Sequence, residues 1–146
     1  MYLPPPLLLL IAIALSYLVS IMFPALQFND VSFTVVGLTL IPVGTLLVLW
    51  AGNTLMQQKT TTHPKRKPSK LVANGPYSWS RNPMYLGFLL IAMGTALLFA
   101  NVLAFVGPVL FFGFISTFIS PLEESMLTKG FGKSYASYKK KIRRWV

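Results

Sequence analysis

Residues 7–23 read LLLLIAIALSYLVSIMF, a run broken by no charged side chain. A bilayer-spanning helix needs about 20 predominantly apolar residues, within a range of about 17–25. The apolar stretch around this run extends over 3–26. It has no basic leader, and it exceeds the apolar core of about 7–15 residues found in a secretory signal, so it reads as a retained helix. Three further stretches meet the same criterion, at 31–52, 84–100 and 102–120. None of them contains Asp, Glu, Lys or Arg. The last two are nearly continuous, with Asn101 between them as a polar hinge for a tight helical hairpin. The expected fold is all-α: a polytopic membrane protein of about four transmembrane helices, forming a single domain over 1–146.

Composition agrees with lipid as the solvent. Mean hydropathy is +0.62 and 11% of residues are charged, against about 25% in a typical soluble domain. Cysteine is absent and histidine occurs once, at His63. That excludes disulfides, thiol nucleophiles, cysteine-ligated metals and multi-histidine metal sites. The acidic residues are Asp30, Glu123 and Glu124, so chemistry that needs a carboxylate has few candidates.

The net charge of +10 is placed by topology. Lys59, Lys65, Arg66, Lys67, Lys70 and Arg81 lie between spans two and three, and Lys129, Lys133, Lys139, Lys140, Lys141, Arg143 and Arg144 follow span four. With four spans both groups fall on one side, which the positive-inside rule makes cytoplasmic. Both termini are then cytoplasmic, and Gln27–Asp30 is an outer turn. Anionic lipid accounts for the basic face, and nucleic acid is not expected as a partner.

Two cytoplasmic segments hold the reactive side chains. One is Lys70–Gly87, KLVANGPYSWSRNPMYLG. The other is Glu123–Tyr138, EESMLTKGFGKSYASY, continuing to Arg143-Arg144-Trp145. Both abut the cytoplasmic ends of spans three and four, so they are expected to meet and line one interfacial pocket. The stretch after Pro121 reads as an amphipathic helix broken near Gly130 and Gly132, with Phe131, Tyr135, Tyr138 and Trp145 suited to the membrane interface. Structural readings stand beside these. Ser120-Pro-Leu-Glu123 has the form of a capping box, and Asn82-Pro83 that of an N-cap before a first-turn proline. Tyr77 and Tyr85 suit an interfacial aromatic belt. Arg81 suits a lipid-phosphate anchor, and Glu124 and His63 suit solvated positions.

The chain resembles the isoprenylcysteine carboxyl methyltransferases and the related phospholipid methyltransferases. The resemblance rests on Leu71, Val72, Gly75, Tyr77, Arg81, Pro83, Tyr85 and Gly87. One helical hairpin later it continues at Glu123, Glu124, Leu127, Phe131, Gly132, Tyr135 and Tyr138. It covers roughly the C-terminal half. It implies S-adenosylmethionine as methyl donor, held without a Rossmann domain in a pocket formed by the cytoplasmic loop and the C-terminal interfacial helix. Lys70, Leu71, Val72, Tyr77, Asn82, Pro83, Tyr85 and Glu123 are the implied cofactor-binding residues. Two positions depart from the family pattern: Asn82 stands where histidine is usual, and Ile119 stands where carboxylate-methylating members carry arginine.

The residue chemistry is compatible with a sulfonium donor. Carboxylates and aromatic faces favour cations, and in-line methyl transfer needs alignment and little water. A carboxylate acceptor is already ionised at neutral pH and needs no base. An amine acceptor would need His63, Glu123 or Glu124 to take a proton. Arg81 and Glu124 are the catalytic candidates, with Arg143 and Arg144 as further clamps for a carboxylate or phosphate. No metal is expected. The acceptor is lipophilic, first a prenylated cysteine carboxylate and second an amine-bearing lipid, and it would enter laterally from the bilayer. Rival readings are a nicotinamide-dependent membrane reductase, a non-enzymatic anchor and a small four-helix transporter. The last of these lacks the intramembrane acidic residue it would use.

Overall fold

The computed structural model describes residues 4–28, 30–59 and 69–146; His63, Lys65, Arg66 and Lys67 lie outside them. Among the described residues five α-helices follow in order: α1 Pro5–Met22, α2 Val31–Gln57, α3 Pro83–Leu98, α4 Val106–Phe114 and α5 Ser120–Lys141. Proline opens α1 and α3, where its missing N–H costs nothing. No β-strand occurs among the described residues. At 1.5 Å per residue, α1 is about 27 Å long and α2 about 40 Å. Both are long and apolar enough to cross a bilayer, as is the run Val102–Lys141. At 16 residues, α3 is shorter than the expected third span. The outward side chains of α1 and α2 are Leu10, Ile11, Met22, Val35, Leu38, Leu46 and their neighbours, a surface that only lipid tails solvate at low cost.

The fourth span differs from expectation at its end. No break occurs at Pro121. A 3-10 turn at Val102–Phe105 leads into α4, and a π-turn at Ile115–Ile119 carries the chain straight into α5. Ile119 is helical and makes no side-chain cap, so the capping-box reading of Ser120–Glu123 does not hold. The break inside α5 falls at Gly132, with φ 48° and ψ −117°, a backbone conformation that favours glycine.

The chain divides into two compact units. One comprises Met1–Leu46 and Gly87–Phe114; the other comprises Leu47–Leu86 and Ile115–Val146. In the first unit, glycines set the helix spacing. A Cβ on Gly37 would lie 2.8 Å from the Gly94 carbonyl oxygen, and one on Gly44 would lie 2.5 Å from that of Gly87. The relation is reciprocal, since a Cβ on Gly94 would meet the Gly37 oxygen at 2.9 Å. The glycines repeat every seven residues on both α2 and α3, so one face of each helix can approach the other's backbone. Small residues drive helix association where lipid removes the hydrophobic incentive. Gly107 of α4 packs in the same way on Ala12 and Ser16 of α1.

Asn101 does more than break a hairpin. It is fully buried, its Nδ2 donates to the carbonyls of Phe23 (2.8 Å) and Ser20 (3.3 Å), and its Oδ1 accepts from Leu103 N (2.9 Å). One side chain thus satisfies helix-end groups of both α1 and the 3-10 turn, which would be costly to leave unpaired in this setting.

Candidate active site

The second unit gathers both reactive segments. Its apolar base is Ala51 and Leu55 of α2 with Val72, Tyr77 and Met84. The chain reaches it through Gly75, whose φ is +57°; a Cβ there would lie 3.0 Å from Thr54 Oγ1. Glycine is required at this position by conformation and by space. Leu71 is half-buried and Lys70 exposed at the entrance to this turn.

Asn82 precedes α3, and its amide Nδ2 donates to Ser120 Oγ at 2.8 Å, both groups being buried. Three residues on, Tyr85 OH donates to Glu123 Oε1 at 2.6 Å. These two bonds join the first segment to the second, as the hairpin argument expected. Tyr138 OH then donates to the Tyr77 carbonyl at 2.6 Å, which fixes the turn that carries Tyr77. The C-terminal tail closes the arrangement: Arg81 N donates to Arg143 O at 3.0 Å, and Ser80 Oγ donates to Arg144 O at 3.2 Å.

The adjacent glutamates, about 100° apart around a helix, have opposite surroundings. Glu124 Oε1 accepts from Arg144 Nε at 2.8 Å and is ion-paired with Arg81 Nη1 at 3.1 Å, and its Oε2 lies 3.0 Å from Lys139 Nζ. Burial alone would raise its carboxyl. The hydrogen bonds from Arg144 and Lys139, with the charges of Arg81 and Arg144, outweigh it and hold the group below the usual carboxylate range. Glu123, just past the apolar span, has no cation partner among the described residues. Burial pushes its carboxyl up to about 7, with the Tyr85 hydrogen bond pulling weakly the other way. Tyr77 is raised by burial and then by the neighbouring Glu123 charge. A half-buried carboxylate beside two phenols, with no cation among the described residues, is an environment in which an incoming positive charge gains.

Several simpler readings are thereby replaced. Tyr77 and Tyr85 are buried rather than belt residues, Arg81 is ion-paired rather than anchoring lipid, and Glu124 is buried rather than solvated. Pro83 lies beneath the site as the first residue of α3. From sequence, Ser120 reads only as a helix cap, and Ser80 and Lys139 are given no part in the site. Their roles depend on contacts across 38, 64 and 15 positions of chain, and no local pattern reports such contacts.

The profile of the phospholipid methyltransferase family matches residues 32–134. The chain belongs to the phospholipid methyltransferase family. Within it, the chain is 35% identical over 135 residues to the protein-S-isoprenylcysteine O-methyltransferase of Saccharomyces cerevisiae, covering 84% of this chain and 54% of that protein. It is also 35% identical over 118 residues to the Xenopus laevis protein of the same name, covering 75% and 38%. The chain therefore spans about half the length of the curated relatives it matches. A solved eukaryotic intramembrane Ras methyltransferase, an isoprenylcysteine carboxyl methyltransferase, superposes with a TM-score of 0.69 at 23% identity, over 94% of this chain and 50% of that one. This last likeness is one of fold: an all-α integral membrane protein. Membership of a methyltransferase family implies a methyl donor.

Proposed function

We propose that this protein transfers a methyl group from S-adenosylmethionine to a lipophilic acceptor, first of all the carboxylate of a prenylated cysteine. The observation that carries the reading is the contrast between the two glutamates. Glu124 is saturated with cations, while Glu123 is half-buried beside Tyr85 and Tyr77 with none among the described residues. A carboxylate in that state fits the ammonium or sulfonium charge of this donor. The activity for which these relatives are named supports the acceptor class.

When bound, the donor supplies an electrophilic methyl carried on a sulfonium leaving group. The chain's own residues do the rest. Glu123 takes up the positive charge, and Tyr85 orients Glu123 through their hydrogen bond. Tyr77, Val72 and Met84 keep water out. Lys70, Leu71, Asn82 and Pro83 shape the same wall. Arg81 and Glu124 act as a positioning pair that locks α5 against the loop before α3. A carboxylate acceptor attacks without losing a proton, so this chemistry needs no general base. The distribution of basic residues supports a pocket on the cytoplasmic side, together with both termini.

The raised Glu123 carboxyl supports a second reading, in which the acceptor is a lipid amine and Glu123 accepts its proton. The deciding experiment is S-adenosylhomocysteine binding to purified protein, beside Glu123→Gln and Tyr85→Ala. Saturable binding weakened more than about tenfold (about 1.4 kcal/mol) by each change is expected. A folded wild type that binds neither the donor nor its product would sink the assignment and favour a reductase or an anchor. Methyl transfer to a prenylcysteine acid, with none to a lipid amine, would separate the two acceptors.

A further inference from the structure

We propose that Arg144 and Lys139 form the seat for the acceptor's acid group, a single carboxylate or phosphate head on a long apolar chain. The inference rests on the methyl-transfer reading for the word acceptor, and on the geometry of the Glu124 cluster for the seat itself. Three cations converge on the one carboxylate of Glu124, leaving an excess of two positive charges. Arg81 accounts for the neutralised part. Its side chain is 10% exposed, and its Nε and Nη1 are buried without a hydrogen-bond partner, so it is held at Glu124 by charge alone. The excess resides on the other two, whose side chains are 31% and 50% exposed.

Their donors are not used up. Arg144 gives Nε to Glu124 and a long 3.4 Å contact from Nη1 to the Ser116 carbonyl. Its Nη2 has no partner among the described residues. Lys139 gives one contact to Glu124 Oε2, and an ammonium has three donors. Glu124 therefore holds both cations in place without saturating them, which lowers the ordering cost of binding an anion.

Position along the helix says what kind of anion fits. Ser116 lies in the π-turn, inside the apolar span, so the Arg144 guanidinium reaches up to where lipid tails begin. An anion held there has its apolar tail in the bilayer and its head in a medium where charge pairing is strong. Glu123 and Glu124 are adjacent on α5, so the anion seat held by Glu124 and the cation seat at Glu123 are neighbours.

The test is a titration of the full chain in zwitterionic-lipid nanodiscs with two probes, an N-acetyl-S-prenylcysteine acid and its uncharged carboxamide. S-adenosylhomocysteine affinity is measured in parallel. The wild type is expected to bind the acid more than about tenfold tighter than the amide. Lys139→Gln and Arg144→Gln should each bring that ratio to about threefold or less, leaving amide and S-adenosylhomocysteine affinities unchanged. Arg144→Lys should restore part of it. Lys139 is exposed, so its variant keeps the test sound if Arg144→Gln unfolds. Equal binding of acid and amide by the wild type would assign the cluster to bilayer phosphates and overturn the proposal. So would a ratio that survives both substitutions, or an S-adenosylhomocysteine affinity that falls in step with the acid. A wild type that prefers the acid but does not bind S-adenosylhomocysteine would remove the methyl-transfer reading while leaving the acid seat standing.

Discussion

Glu123 and Glu124 are neighbours in sequence and opposites in electrostatics, and each carries a prediction. The folded value of Glu123 is about 7, raised above the ordinary 4.5. Its stability contribution is therefore full below about 4.5 and is lost as pH rises through about 7. Uptake of a cation requires the ionised form, so S-adenosylhomocysteine affinity should climb as pH rises through about 7. It should then fall only at the higher pH where the ligand's own amino-acid ammonium deprotonates. In Glu123→Gln the rising limb should vanish; a rising limb that persists would assign the titration to another group. Glu124 has the reverse sign: its folded value is lowered, so its contribution holds above 4.5 and is lost as pH falls through the lowered value. Glu124→Gln strands the buried Arg81 guanidinium, at a cost of about 3–5 kcal/mol. Thermal unfolding in detergent should register this as a large drop in midpoint, and a midpoint within a degree of wild type would refute the anchoring role.

At the scale of elements, α2 and α3 depend on glycine rather than on apolar side chains. Gly44→Ala would bring a methyl to 2.5 Å from the Gly87 carbonyl oxygen and to 3.0 Å from Ile91 and Leu90 side chains. Neither backbone can yield, so destabilisation of about 1–3 kcal/mol is expected. Gly113→Ala is the control, because a Cβ there meets nothing within 4 Å, and its unfolding midpoint should match the wild type or exceed it slightly. Equal midpoints for both variants would mean that the close approach does not carry the helix pair. The heptad spacing of these glycines is visible in the sequence, yet spacing does not say which helix faces which. The π-turn at Ile115–Ile119 was not legible at all. Its residues, Ile-Ser-Thr-Phe-Ile, carry no pattern that marks a π-turn, and such turns are rare, mostly single-turn bulges inside α-helices.

For the whole molecule, the proposed orientation rests on where the basic residues lie. A chain without cysteine suits single-cysteine labelling from outside sealed cells. Gln27→Cys should react with an impermeant maleimide, while Gln58→Cys and Lys140→Cys should react only after permeabilisation. External labelling of Gln58→Cys would invert the topology and move the pocket to the opposite face.

The sequence alone determined the membrane setting, the helical class, the two segments that meet and the family they belong to. Hydropathy, charge placement and motif spacing are properties of the chain itself. It did not determine which glutamate is saturated and which lacks a cation, because both occupy one turn and differ only in what other segments bring to them. Only the tertiary structure decided that Arg144 and Lys139 join Arg81 at Glu124, that Ser120 takes the Asn82 amide, and that Asn101 closes two helix ends at once. Each of these is a contact between residues far apart in sequence, set by the packing of helices and by the need to satisfy buried polar groups.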